Sequence, residues 1–80
     1  MSNLEILKNS FKEVIGIDLA KIDDLLEYGS YGWDSVAHMK LIAEIETQFD
    51  IMLETEDVID MSSFKKAKEI VQKYEIIIES

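Results

Sequence analysis

The groups most able to do chemistry are gathered in Gly32-Trp33-Asp34-Ser35-Val36-Ala37-His38, which holds the chain's one tryptophan and one histidine. On a helix, Ser35 and His38 stand three positions apart, close enough to touch, with Asp34 beside them. A hydroxyl, an imidazole and a carboxylate are the parts of a nucleophilic hydrolase, but here they make a poor one. His38 shares a side of the helical wheel with Ile42, Ile45 and Phe49, Asp34 is not placed to orient the ring away from Ser35, and nothing supplies a glycine-rich oxyanion loop. The expected role of His38 is structural, bonded to the preceding loop, and no residue is assigned as catalytic.

Ser35 has another use. The first N–H groups of a helix lack partners within it and its dipole places about half a positive charge there, so a phosphate joined to a serine at that end is stabilised where it sits. The plainer alternative is that Ser35, or Asp34, is an ordinary N-cap. Metal binding is not expected. With one histidine and no cysteine only carboxylates remain, and none follows the calcium-loop spacing. The missing cysteine also excludes disulfides and any thiol nucleophile from the chain itself.

Seventeen acids against eight lysines, with no arginine, give a formal charge of -9. Phosphate-backbone recognition needs clustered cations, so no nucleic-acid partner is expected. Such a surface instead steers basic partners, through an attraction that salt weakens. Glu44, Glu46, Asp50, Glu54, Glu56, Asp57 and Asp60 follow one another without an intervening lysine; such a run is commonly just a solvated face. No apolar stretch is long enough to span a membrane and no signal-like segment opens the chain. A cytoplasmic monomer of one domain, residues 1–80, is the expectation.

The elements that position Ser35 follow from periodicity. Leu4, Leu7, Phe11, Val14 and Ile15 recur at helical spacing, with Asn3 as the expected cap and Gly16 as the stop. Scattered apolar residues then imply a long connection pinned to the core, with a short helical turn near Asp23 to Glu27. From Ser35 to about Phe49, Ile42, Ile45 and Phe49 form an apolar stripe supported by His38, Met39 and Leu41. The opposite stripe, Val36, Lys40, Ala43 and Thr47, with Ala37 and Glu44 beside it, is small and mixed and suits a docking face. Thr55 is the expected cap of a short helix to about Asp60, with acids in its first turn. Ser62 is the expected cap of a last helix buried through Phe64, Ala67, Ile70, Val71 and Tyr74. Tyr74 to Glu79 is the best strand candidate, but no second segment is there to pair with it. The fold class is therefore an all-α small helical bundle, three main helices plus one short helix.

Gly32-Trp33-Asp34-Ser35-Val36, followed by Leu41-Ile42, Ile45-Glu46 and Phe49-Asp50-Ile51, resembles the acyl carrier protein family, whose signature is Gly-x-Asp-Ser-(Leu, Val or Met) at the start of its second helix. The short string is weak alone. Length, acidity, the long first loop and the Glu46-x-x-Phe49-Asp50 helix end extend the likeness from about Leu4 to Tyr74. The resemblance implies that Ser35 carries 4'-phosphopantetheine, placed there from coenzyme A by a phosphopantetheinyl transferase, and that the protein catalyses nothing itself. Its other implied partners are an acyl- or aminoacyl-loading ligase and a downstream acyltransferase or synthase. It also implies that Asp34 is a cap and transferase contact, that Val36 is an apolar docking residue, that Glu46 belongs to an acidic recognition face, that Phe49 and Ile51 are core, and that an apolar cargo can be sheltered between the helices.

The sequence departs from that pattern at Trp33, where a small residue is usual, and at Ala37, Lys40 and Thr47, where fatty-acid carriers hold acids. A carrier for a specialised acyl or aminoacyl group is the favoured reading, ahead of a general fatty-acid carrier. An unmodified helical interaction module is the alternative from another class. The expected place of Trp33 is as a loop anchor over the bundle.

Overall fold

The computed structural model describes residues 2–78. Four helices, α1 (Asn3–Ile15), α2 (Ser35–Phe49), α3 (Thr55–Asp60) and α4 (Phe64–Gln72), surround one core. Among the described residues no strand forms; the sole trace of sheet pairing is an isolated antiparallel bridge between Glu27 and Ser63. The all-α bundle expected from periodicity is what forms. The strand candidate is irregular from Tyr74 to Ile78, and Glu79 lies outside the described residues.

Three of the expected caps shift by one residue. Ser2, not Asn3, accepts from the Glu5 N–H and starts α1, while Asn3 spends its amide on the Ile77 carbonyl. Glu54, not Thr55, stands at the cap of α3, where no side chain takes up the capping bond. Ser63, not Ser62, caps α4 by accepting from Lys66 N–H. With two serines in a row, sequence does not say which one turns its hydroxyl inward; the Ser62 carbonyl is already engaged by Tyr28 N–H. Gly16 ends α1 at φ 81°, a conformation glycine adopts without strain.

Residues 16–34 are pinned as expected, through the fully buried side chains of Ile22 and Leu26. The helical turn comes earlier than expected, a 3₁₀ turn at Leu19–Lys21. Asp23 instead makes a side-chain turn by accepting from Leu25 N–H, its carbonyl accepting from Leu26 N–H. Two backbone bonds, Tyr28 N–H to Ser62 O and Phe64 N–H to Leu26 O, then fasten the connection to the start of α4.

The core runs from Leu7 and Phe11 on α1 through Leu41, Ile42 and Ile45 on α2 to Phe64, Ala67, Ile70 and Val71 on α4, with Phe49 and Ile51 packed at its edge. Its centre is aromatic. Phe11 meets Trp33 edge-on at 5.2 Å and Phe64 edge-on at 5.1 Å, an arrangement the ring quadrupoles favour. Trp33 is 0% exposed. It is more than a lid over the bundle: it forms part of the core itself.

Candidate functional site

A tight turn delivers the chain to α2. Gly29 N–H donates to Trp33 O and Trp33 N–H to Ser30 O, while Gly32 sits at φ 82°, where a Cβ would meet no neighbour, so the backbone conformation alone calls for glycine. This turn drives Trp33 into the core and leaves the next two residues outside. Asp34 is then the N-cap, its carboxylate accepting from Ala37 N–H at 2.9 Å. Ser35 is the first helical residue and is exposed. Of the two capping readings open for this pair, the structure gives the cap to Asp34 and leaves the Ser35 hydroxyl unburdened by it.

His38 is fully committed. The indole N–H of Trp33 donates to Nδ1 at 3.0 Å, and Nε2 lies 2.7 Å from the Val58 carbonyl oxygen. An indole N–H can only donate, so Nδ1 is the acceptor and the proton resides on Nε2, where it is given to Val58. The ring also stacks on Trp33 at 5.9 Å and meets Tyr28 nearly perpendicularly at 5.8 Å. Neither nitrogen is left to take a proton from Ser35, so His38 is not placed to act as its base.

Beside Ser35 a groove of about 390 Å³ opens between α2 and α3, lined by Tyr28, Ser35, His38, Met39, Val58, Ile59, Met61 and Ser62. Met39, expected to support the buried stripe, faces this groove instead and is 59% exposed. Val58 and Ile59 escaped the sequence reading altogether. The available signal was two adjacent apolar residues in a six-residue acidic helix, only one of which can point inward; Ile59 is the outward one.

The expected recognition residues do not all come together. Val36, Lys40, Ala43 and Thr47 share the exposed outer face of α2, as the helical wheel requires, with Val36 one turn before Lys40. Glu46 is elsewhere. It is half-buried, eleven residues and about 16 Å along the axis from Ser35, and its carboxylate accepts from Leu53 N–H at 2.8 Å, tying down the loop after α2. Glu46 thus has a structural duty and stands apart from the stripe that begins beside Ser35. Among the described residues no three His, Asp or Glu side chains gather in a way that could hold a metal ion, and no helix is long and apolar enough to cross a membrane.

Asp57 on α3 is buried and accepts from Lys73 Nζ at 2.6 Å and from the Tyr74 hydroxyl, which itself accepts from Glu54 N–H. The Lys73 ammonium, then the Tyr74 hydroxyl, hold the Asp57 carboxyl below the usual carboxylate range. Asp57 in turn raises both Lys73 and Tyr74. The acid run read as a solvated face therefore contains one residue that is wholly structural.

Comparison with known proteins adds one finding. A family model described as a phosphopantetheine attachment site matches residues 5–71. No curated protein and no solved structure matches the chain.

Proposed function

The chain belongs to the phosphopantetheine attachment site family, whose members carry 4'-phosphopantetheine covalently on a serine, and from that premise we propose that Ser35 is the serine and that the protein is a dedicated acyl or aminoacyl carrier. The observation that carries the assignment is an exposed hydroxyl on the first residue of a fifteen-residue helix, next to a cap already satisfied and at the mouth of an apolar groove. The fit to the group is chemical. A phosphodiester at Ser35 meets the outward N–H groups of the first helical turn and the positive end of the dipole, while the groove gives an extended arm apolar surface to lie on. The group supplies the thiol that a cysteine-free chain lacks, and an acyl cargo rides on it as a thioester.

Loading follows from what the chain does and does not provide. Ser35 Oγ forms the new bond to the pantetheine-bearing phosphorus of coenzyme A, the bond from that phosphorus to the bridging oxygen breaks, and adenosine 3',5'-bisphosphate departs. The serine proton goes to a base of the phosphopantetheinyl transferase, because His38 is engaged on both nitrogens. We read the protein as a carrier that leaves catalysis to its partners, acting as a monomer in the cytoplasm by raising the local concentration of its cargo at partner sites.

A dedicated pathway is favoured over general fatty-acid synthesis by the outer face of α2. Its exposed stripe, Val36, Lys40, Ala43 and Thr47, carries a cation and no acid, so a loading ligase or downstream synthase matched to it needs an apolar contact with Val36 rather than a continuous basic track. Asp34 and Val36 flank Ser35 and are the residues a transferase meets first.

Incubation with coenzyme A, magnesium and a promiscuous phosphopantetheinyl transferase tests the assignment by intact mass. A gain of one phosphopantetheinyl group that disappears in Ser35→Ala is expected. No gain, or a gain that survives the substitution, sinks the reading.

A further inference from the structure

The family likeness implies an apolar cargo sheltered between the helices, and the interior beside Ser35 shows whether this chain has room for one. The space leading inward from the groove is occupied. Trp33 lies there with no exposure, edge-on to Phe11 at 5.2 Å and stacked on His38 at 5.9 Å. His38 closes the remaining route by joining Trp33 on one side to the Val58 carbonyl of α3 on the other, so the seam between α2 and α3 is stitched from within.

We infer that this carrier holds its cargo at the surface, in the α2 and α3 groove, and takes acyl groups of a few carbons, aminoacyl groups included, rather than long chains drawn into the bundle. The inference rests on the assignment of Ser35. A long chain entering the core has to displace a fully buried tryptophan and break both bonds of His38, leaving an indole N–H and a carbonyl without partners. The groove needs no such rearrangement. Its lining is mostly apolar, with Met39, Val58, Ile59 and Met61 among its residues, so what limits the cargo is how little of that surface is closed off from water. Ile59 and Met39, exposed at 74% and 59%, leave that surface half open to water, so each further methylene laid along it is only partly removed from solvent.

The experiment is transfer of acyl-phosphopantetheine from acetyl-, butyryl-, octanoyl- and tetradecanoyl-coenzyme A onto the full chain, with intact mass confirming each loaded form. Failure to load any of them is failure of Ser35 as the site; everything that follows is measured on loaded protein and tests the cargo alone. The expected result is one melting temperature across the series beyond the shortest groups and one rate of thioester cleavage by hydroxylamine. In methyl spectra the Ile59 and Met39 signals move on loading while those of Ile45 and Ile70, inside the core, stay in place. A melting temperature that climbs with chain length, cleavage slowed several-fold for tetradecanoyl, or shifts at Ile45 and Ile70 overturns the inference. Trp33→Leu, or His38→Leu if the first does not fold, should open the interior and bring in length dependence. If the length series stays flat in a folded variant, Trp33 and His38 are not what closes the bundle and the inference falls on that side.

Discussion

Two consecutive residues of α3 fasten it to different parts of the chain by opposite kinds of chemistry. Val58 offers its carbonyl to His38 on α2, in a seam of neutral hydrogen bonds backed by stacked rings. Asp57 offers its carboxylate to Lys73 and Tyr74 beyond α4, in an ionic seam whose cation is mostly exposed. A six-residue helix has no stability of its own, so both seams are needed to keep it in place. The difference is where water and ions enter. The neutral seam runs along the groove beside Ser35, where a partner or an arm would disturb a charge pair. The ionic one lies away from it, open to salt and acid.

The largest effect should come from removing the neutral seam's foundation. Trp33→Ala deletes the ring that touches Phe11 and supports His38, and a truncation of this size in a core costs about 3–5 kcal/mol. Urea unfolding measures it. A loss under about 1 kcal/mol, the range of exposed positions, would mean that Trp33 rests on the bundle instead of filling it.

His38→Ala removes one ring but leaves two groups unpartnered, the buried Trp33 N–H and the half-buried Val58 carbonyl. The expected loss is about 1–3 kcal/mol, and because no ion pair is involved it should be the same at low and high salt. A loss that shrinks as salt is added would break the contrast between the seams, since only charges are screened.

How much of this arrangement sequence reveals depends on the range of the forces involved. The helices, the all-α class and the outer stripe of α2 follow from periodicity, a local property, and the structure keeps them. Ser35 stands out because Gly32, Asp34 and the helix start are neighbours in the chain. What stays hidden is long-range. Nothing near Trp33 tells that it faces Phe11, nothing near Glu46 tells that its carboxylate is taken by Leu53 N–H, and nothing in an acid run separates Asp57, which meets Lys73, from Asp60, which meets water. The groove is hidden for the same reason: Ser35 and Ile59 become neighbours only once His38 and Val58 bond.

Asp57→Asn tests the ionic seam through pH. The native carboxyl lies below its ordinary value of 3.8, so its contribution is present above that value and is lost as pH falls through it toward the folded one. Lys73 and Tyr74 are raised, so theirs are present below about pH 10 and lost as pH rises through the folded values. The stability difference between native protein and Asp57→Asn should therefore form a plateau between about pH 5 and 9, falling away on both sides. Its height should be about 1 kcal/mol, since the cation is mostly exposed, and salt should lower it. A difference independent of pH from 3 to 7 would show that the carboxylate's charge is not what holds α3.

Lys40→Glu should have the smallest effect on folding, because Lys40 lies on the face of α2 that neither seam touches. A substitution at such a position stays within about 0.5 kcal/mol, which makes it a control for both seams. Its consequence should instead appear in partner choice. The change moves the local charge by two units on the stripe between Val36 and Ala43, and charges at the rim of an interface act mainly on the rate of encounter. If the missing acid is what keeps fatty-acid synthase enzymes away, loaded Lys40→Glu should be elongated by them with a kcat/KM several-fold above that of the native carrier at low salt, the gain fading as salt rises. An equal or slower reaction would show that selection rests on Val36 and the apolar rim of the groove, with charge on the outer face indifferent to it.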